Sequence, residues 1–140
     1  MMLGKLLGLG EKKRERPLVL HVDDHPGVVE IVRAMLEQLG CEVTTALNGM
    51  DALKLAEKEK PDLILLDIMM PGMDGFMTLA ELKKNSSTKD IPVMMVTAVD
   101  LVKNIEKAKE MGAVDYIVKP VMIDRLKAKI ETVIPLPKAS

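Results

Sequence analysis

Aromatic side chains are almost missing from this 140-residue chain, which has one Phe, one Tyr and no Trp. Surfaces that bind single strands by stacking bases on aromatic rings are therefore excluded. Cysteine is as scarce. Cys41 is the only one, so no intramolecular disulfide can form, which suits a reducing cytoplasm. Following Gly40, it reads as a small buried hydrophobe. Neither sign of charge dominates. A formal net charge of −1 gives no strong pull towards nucleic acid. No apolar run approaches the ~18 residues of a membrane span. The opening MMLGKLLGLG is apolar but short and broken by glycine. It has no basic stretch before its apolar part and no small-residue cleavage site, so it makes a poor signal peptide. What the chain does have is 48% hydrophobic residues, enough for the core of one ordinary domain. Its 12 Met are read as flexible core filler.

The pattern along the chain is an alternation. EKKRERP (11–17) is a charged connector, and LVLHVDD (18–24) is a strand with an acidic end. Residues 26–40 carry Val28, Val29, Ile31, Val32, Met35, Leu36 and Leu39 at helical period, with Gly40 as the stop. CEVTTA (41–46) is a short strand. Residues 48–60 form a helix capped by Asn48, with Met50, Leu53 and Ala56 on one face. DLILLD (62–67) has no polar alternation, as expected of a strand covered on both faces. Helix 74–85, strand 91–98, helix 100–112, strand 113–120 and helix 122–134 complete five β–α units, the last helix with Ile123, Leu126, Ile130 and Val133 inward. Short connections between such units dictate an open parallel α/β sheet with helices on both faces. Residues 1–16 are expected to be a flexible segment, 17–134 the domain and 135–140 a tail, with Pro135 and Pro137 able to begin a linker.

In sheets of this kind ligands bind outside the carboxyl ends of the strands. Asp23, Asp24, Asp67, Thr97 and Lys119 all fall there. Three converging carboxylates repel unless a cation compensates. Oxygen ligands suit a hard ion such as Mg²⁺. Lys119 and Thr97 offer an ammonium and a hydroxyl to a phosphate. Together these groups describe phosphoryl transfer, in which a carboxylate can act as nucleophile and form an acyl phosphate. Asp24 can instead cap the following helix, and Thr97 and Lys119 can be ordinary strand-end residues. His21 reads as a strand residue without chemistry, and His25 as a surface loop residue near the acids.

VDDHP (22–26), LLDIMMPGMDG (65–75), VTA (96–98) and YIVKP (116–120), in this order and at these spacings, resemble the receiver domains of two-component response regulators. The resemblance covers about residues 17–134. It implies a flavodoxin-like, doubly wound (βα)5 fold with a five-stranded parallel sheet of order 2-1-3-4-5. It implies that Asp67 is the phospho-acceptor, supplied by a sensor histidine kinase or phosphotransfer protein. Asp23, Asp24, Asp67 and the backbone carbonyl of Met69 would hold Mg²⁺, and Lys119 would contact the phosphoryl group through a chain whose Lys119–Pro120 bond is cis. Thr97 and Tyr116 would form the switch pair. Met69 and Val99 would occupy the positions that tune dephosphorylation. Both are apolar and unable to orient water, so slow dephosphorylation is expected.

By the same resemblance the readout face is formed by residues 100–134, where Lys103, Lys107, Lys109, Lys127 and Lys129 give a basic surface. No DNA reader follows in PLPKAS (135–140), so the chain is a stand-alone receiver or is cut from a longer regulator. An unknown downstream protein is the expected partner, without direct nucleic-acid binding by this chain. A phosphatase-like enzyme on the same fold is disfavoured by Met69, where that chemistry wants a second acid. A nucleotide-binding domain is disfavoured because VDDHPG, and no glycine-rich loop, follows the first strand. A phosphorylation-independent interaction domain is disfavoured by the complete set of acids, Thr and Lys.

Overall fold

The computed structural model describes residues 14–98 and 102–137, together with a two-residue parallel pairing of Leu3–Gly4 with Leu7–Gly8. The main body alternates strand and helix: β1 Leu18–Val22, α1 Pro26–Gln38, β2 Glu42–Ala46, α2 Gly49–Glu59, β3 Leu63–Asp67, α3 Gly75–Lys84, β4 Val93–Thr97, α4 Val102–Glu110, β5 Asp115–Val118 and α5 Ile123–Glu131. All pairings are parallel and the strand order is β2-β1-β3-β4-β5, the expected 2-1-3-4-5.

Every residue of β1, β3 and β4 is buried. This is why LILLD and VMMVT run without polar breaks: alternate side chains enter two different cores. Leu20, Val22, Ile64, Leu66, Val93 and Met95 pack on one face with Ala52, Ala56, Leu79, Leu82 and Ala108 from α2, α3 and α4. Val19, Leu63, Leu65, Met94 and Val96 pack on the other with Val32 and Leu36 of α1 and Leu126 and Ile130 of α5. Each fully buried Leu or Ile contributes about 1.5–3 kcal/mol by its removal from water.

The helix ends follow local chemistry. The Asn48 side chain accepts from Asp51 N at 2.8 Å, capping α2 as expected. Asp74 accepts from Met77 N at 2.9 Å and caps α3 rather than joining it. α1 begins with Pro26 in its first turn and lacks a side-chain cap at His25. Asp24 is thus not the cap of this helix.

Several side chains depart from the expected faces. Ile31 and Met50 are exposed, and Met69, Met77 and Met122 are exposed too, so core filling accounts for only part of the Met content. Met50 lies in the first turn of α2, where helical period defines a face but not how far the opposing layer reaches. α5 ends at Glu131, before the expected 134. Leu136 packs on the second core, and Pro137 lies against Gly40, which has φ +92° and no room for a Cβ.

Candidate functional site

Asp67 is the last residue of β3 and Asp23 follows the end of β1, so adjacent strands deliver both to the carboxyl edge. Asp23 is fully buried and Asp67 is 2% exposed. Lys119 follows β5, and its ammonium reaches across the edge to both acids. Its Nζ lies 2.8 Å from Asp23 Oδ2 and 3.3 Å from Asp67 Oδ2. The Lys119–Pro120 bond is cis, and Lys119 N donates to the Thr97 carbonyl at 2.7 Å. Thr97 ends β4 and is buried.

The backbone around Asp67 is held by close packing. Gly75 N donates to the Ile68 carbonyl at 2.9 Å. A Cβ on Gly75 would overlap the Asp67 carbonyl oxygen and sit 2.7 Å from Ile68 Cα. The glycine is thus required by contact between two backbones, not by its own dihedral angle. Gly72, in the same turn, has φ +74°, a region that side chains avoid. Met69 N donates to Asp67 Oδ1 at 3.3 Å, while the Met69 side chain is 69% exposed.

The charges are unequal partners. Burial pushes the Asp23 carboxyl up, but hydrogen bonds from Lys119 and from the His25 backbone and ring outweigh it, leaving it below the ordinary value. Burial likewise raises Asp67, Lys119 opposes it at longer range and Asp23 adds repulsion, so Asp67 stays above its ordinary value. Burial disfavours the Lys119 ammonium, yet the two acids more than restore it. Three carboxylates against one ammonium leave the pocket formally two charges negative. Asp24 Oδ1 is a buried oxygen with no hydrogen-bond partner among the described residues. An orphaned oxygen within a surplus of two negative charges fits a dication, and the mainly oxygen donors fit a hard one such as Mg²⁺.

Among the remaining residues singled out in the sequence, Tyr116 is half-buried on β5. The Lys129 ammonium lies 4.6 Å from its ring centre and 2.8 Å from Asp115 Oδ1. Lys107 lies over the Phe76 ring at 4.3 Å, and Lys103, Lys107, Lys109 and Lys127 are exposed. Val99 lies outside the described residues.

His25 carries more than the sequence suggested, whereas His21 is the strand residue expected. His25 is not a bystander. Its Nδ1 sits 3.0 Å from Asp23 Oδ1 and 3.2 Å from Asp24 Oδ1, and its backbone N–H donates to Asp23 Oδ1 at 2.9 Å. The signal available was its adjacency to the two acids. His21 is buried in β1 with neither ring nitrogen partnered among the described residues, and burial holds its pKa down to about 4.

The sequence profile of the response regulator receiver domain matches residues 19–131. The chain belongs to the response regulator receiver family. It is thus a receiver domain of two-component systems, whose members work through phosphorylation. The receiver is 42% identical over 116 residues to protein PilH of Pseudomonas aeruginosa, an alignment covering 83% of this chain and 96% of PilH. It is 35% identical to the DNA-binding dual master transcriptional regulator RpaA of Synechocystis sp., with 84% of this chain and 49% of RpaA covered. The receiver therefore spans about half the length of relatives of that kind. Among solved structures, chemotaxis protein CheY4 of Vibrio cholerae superposes with a TM-score of 0.81 at 32% identity, covering 85% of this receiver and 99% of CheY4. The receiver domain of a sensor histidine kinase of Pseudomonas aeruginosa, solved with a magnesium ion coordinated in its active-site cleft, gives 0.78 at 29% identity. That match covers 84% of this receiver and 97% of the solved chain. No helix among the described residues is long and apolar enough to cross a membrane.

Proposed function

We propose that Asp67 is the phospho-accepting nucleophile of this receiver, taking a phosphoryl group from the phospho-histidine of a sensor kinase or phosphotransfer protein. The observation that carries the reading is Lys119 Nζ joining Asp23 Oδ2 and Asp67 Oδ2 at 2.8 and 3.3 Å. An ammonium held by a second acid is placed to meet a new anion on the first. Asp23, Asp24, Asp67 and the Met69 carbonyl are the ligands for Mg²⁺, which when bound neutralises charge on the transferring phosphoryl group. Asp67 supplies the attacking oxygen. Lys119 moves its contact to the phosphoryl oxygen, and the Thr97 hydroxyl donates to another. Tyr116 is the partner of Thr97 in the switch.

A phosphoryl group brings about −1.5 to −2 charge. Contacts made only in that state bias a two-state equilibrium, with a coupling of about 1–3 kcal/mol typical of such switches. The output face is that of residues 100–134, read by a downstream protein without direct nucleic-acid contact by this chain, in the cytoplasm. The only chemistry it catalyses is its own phosphorylation and dephosphorylation. The receiver unit is 17–134, with 1–16 and 135–140 as its flanks.

Acetyl phosphate with Mg²⁺ should add one phosphoryl group to the intact mass, and beryllofluoride should shift the amide resonances around Thr97 and Tyr116. Neither should occur in Asp67→Asn. Modification that survives that substitution would place the acceptor elsewhere.

A further inference from the structure

His25 brings a nitrogen into a pocket otherwise furnished with oxygen. One carboxylate oxygen from each of Asp23, Asp24 and Asp67 and one His25 ring nitrogen all lie within 4.8 Å of one another. Adjacent donors on an octahedral ion with bonds of about 2.1 Å stand about 3 Å apart, and opposite donors a little over 4 Å. Nδ1 is 3.0 Å from Asp23 Oδ1 and 3.2 Å from Asp24 Oδ1, the spacing of neighbours in one coordination shell. The Asp24 oxygen involved is the orphaned one. Its approach to the ring meets the distance of a hydrogen bond without making one.

We propose that His25 Nδ1 is a direct metal ligand, so that this pocket takes a borderline transition-metal dication such as Co²⁺ in stronger preference to Mg²⁺ than an all-oxygen pocket does. The inference rests on the reading of the pocket as a dication site. Without metal the Nδ1 proton bonds Asp23 Oδ1; ligation moves that proton to Nε2, so that the Nδ1 lone pair and the freed Asp23 oxygen both face the ion. Imidazole suits the later first-row dications, whose affinity rises from Mn²⁺ through Co²⁺ to Cu²⁺, whereas Mg²⁺ favours oxygen and keeps its waters. The ring is side-chain exposed by 65%, so it is free to adjust its approach as an ion enters.

The test is titration calorimetry of the untagged protein and of His25→Ser with Mg²⁺ and with Co²⁺, plus pulsed EPR of the Mn²⁺-loaded forms. His25 is the N-cap residue of α1, where Ser is favoured, so the variant keeps its fold. The preference for Co²⁺ over Mg²⁺ should fall about tenfold in His25→Ser, and a ¹⁴N coupling in the wild-type spectrum should vanish. His21 remains in both proteins and controls for stray imidazole. A preference unchanged within about twofold, with no ¹⁴N coupling in the wild type, would overturn the inference. Mg²⁺-dependent beryllofluoride binding at Asp67, measured on the same samples, separates the two levels. If it persists, only the role of His25 has failed; if it is absent from the wild type, the dication site and the inference fall together.

Discussion

Three glycines near one sheet edge should respond to the same Ala substitution with three different outcomes. At Gly75 an added Cβ overlaps the Asp67 carbonyl oxygen and lies 2.7 Å from Ile68 Cα, where carbon atoms ordinarily stay about 3.5–4.0 Å apart. Roughly 1 Å of relief is needed, and backbone atoms must supply it. Overpacking costs about 1–3 kcal/mol when side chains can yield, so Gly75→Ala is expected at the top of that range, about 3 kcal/mol. That is near 12 °C in Tm for a domain of this size, roughly. Gly72→Ala meets nothing within 4 Å and pays only for φ +74°, about 1 kcal/mol. Gly27→Ala lies inside α1 with nothing within 4 Å and should stabilise by about 0.5 kcal/mol. Urea denaturation of the three variants at fixed pH gives the order directly. Beryllofluoride affinity should fall in Gly75→Ala alone, since its strain bears on the Asp67 backbone. A Gly75→Ala protein within about 0.5 kcal/mol of wild type, or less destabilised than Gly72→Ala, would refute the contact argument.

His21→Leu should stabilise the metal-free protein at neutral pH by about 1–3 kcal/mol, because two ring nitrogens with no partner among the described residues leave the interior. Its advantage should grow in acid. With a pKa lowered from 6.5 to about 4, folded His21 resists a proton that the unfolded chain accepts, so wild-type stability falls as pH drops from 6.5 towards 4, by about 2 kcal/mol at pH 5. An advantage of constant size across that window, measured by denaturation in EDTA, would contradict this. Burial raises Cys41 to about 11 from 9.0, so its thiolate at pH 8 is about a hundredfold rarer than that of a free thiol. Alkylation of the native protein should be slower by at least that factor, and labelling at the free-thiol rate would show that the site is open. Met69→Asn with Val99→Glu should shorten the acyl-phosphate lifetime by up to about tenfold, the worth of one water-orienting hydrogen bond. An unchanged decay, followed by intact mass, would remove the tuning role of Met69 and Val99.

The central strands could be read from sequence because both their faces are buried, which leaves an unbroken apolar run such as LILLD ending in a single acid. The convergence of Asp23, Asp24, Asp67 and Lys119 followed from parallel strands sharing a carboxyl edge. What stayed hidden depends on contacts between segments distant in sequence. Gly75 is spelled like any turn glycine, and only the proximity of Ile68 reveals why it is needed. His25 is spelled like a loop residue, and its role depends on which way the ring turns from α1. Met50 has the right helical phase and no layer to meet.

Tyr116 has a practical consequence. The chain has one tyrosine and no tryptophan, and that tyrosine lies half-buried beneath the Lys129 ammonium on the face assigned to output. Excited at its own absorption band, the unlabelled protein emits from this one ring. A change in brightness or anisotropy on adding acetyl phosphate would then report the switch itself, with no dye attached and no competing fluorophore to subtract.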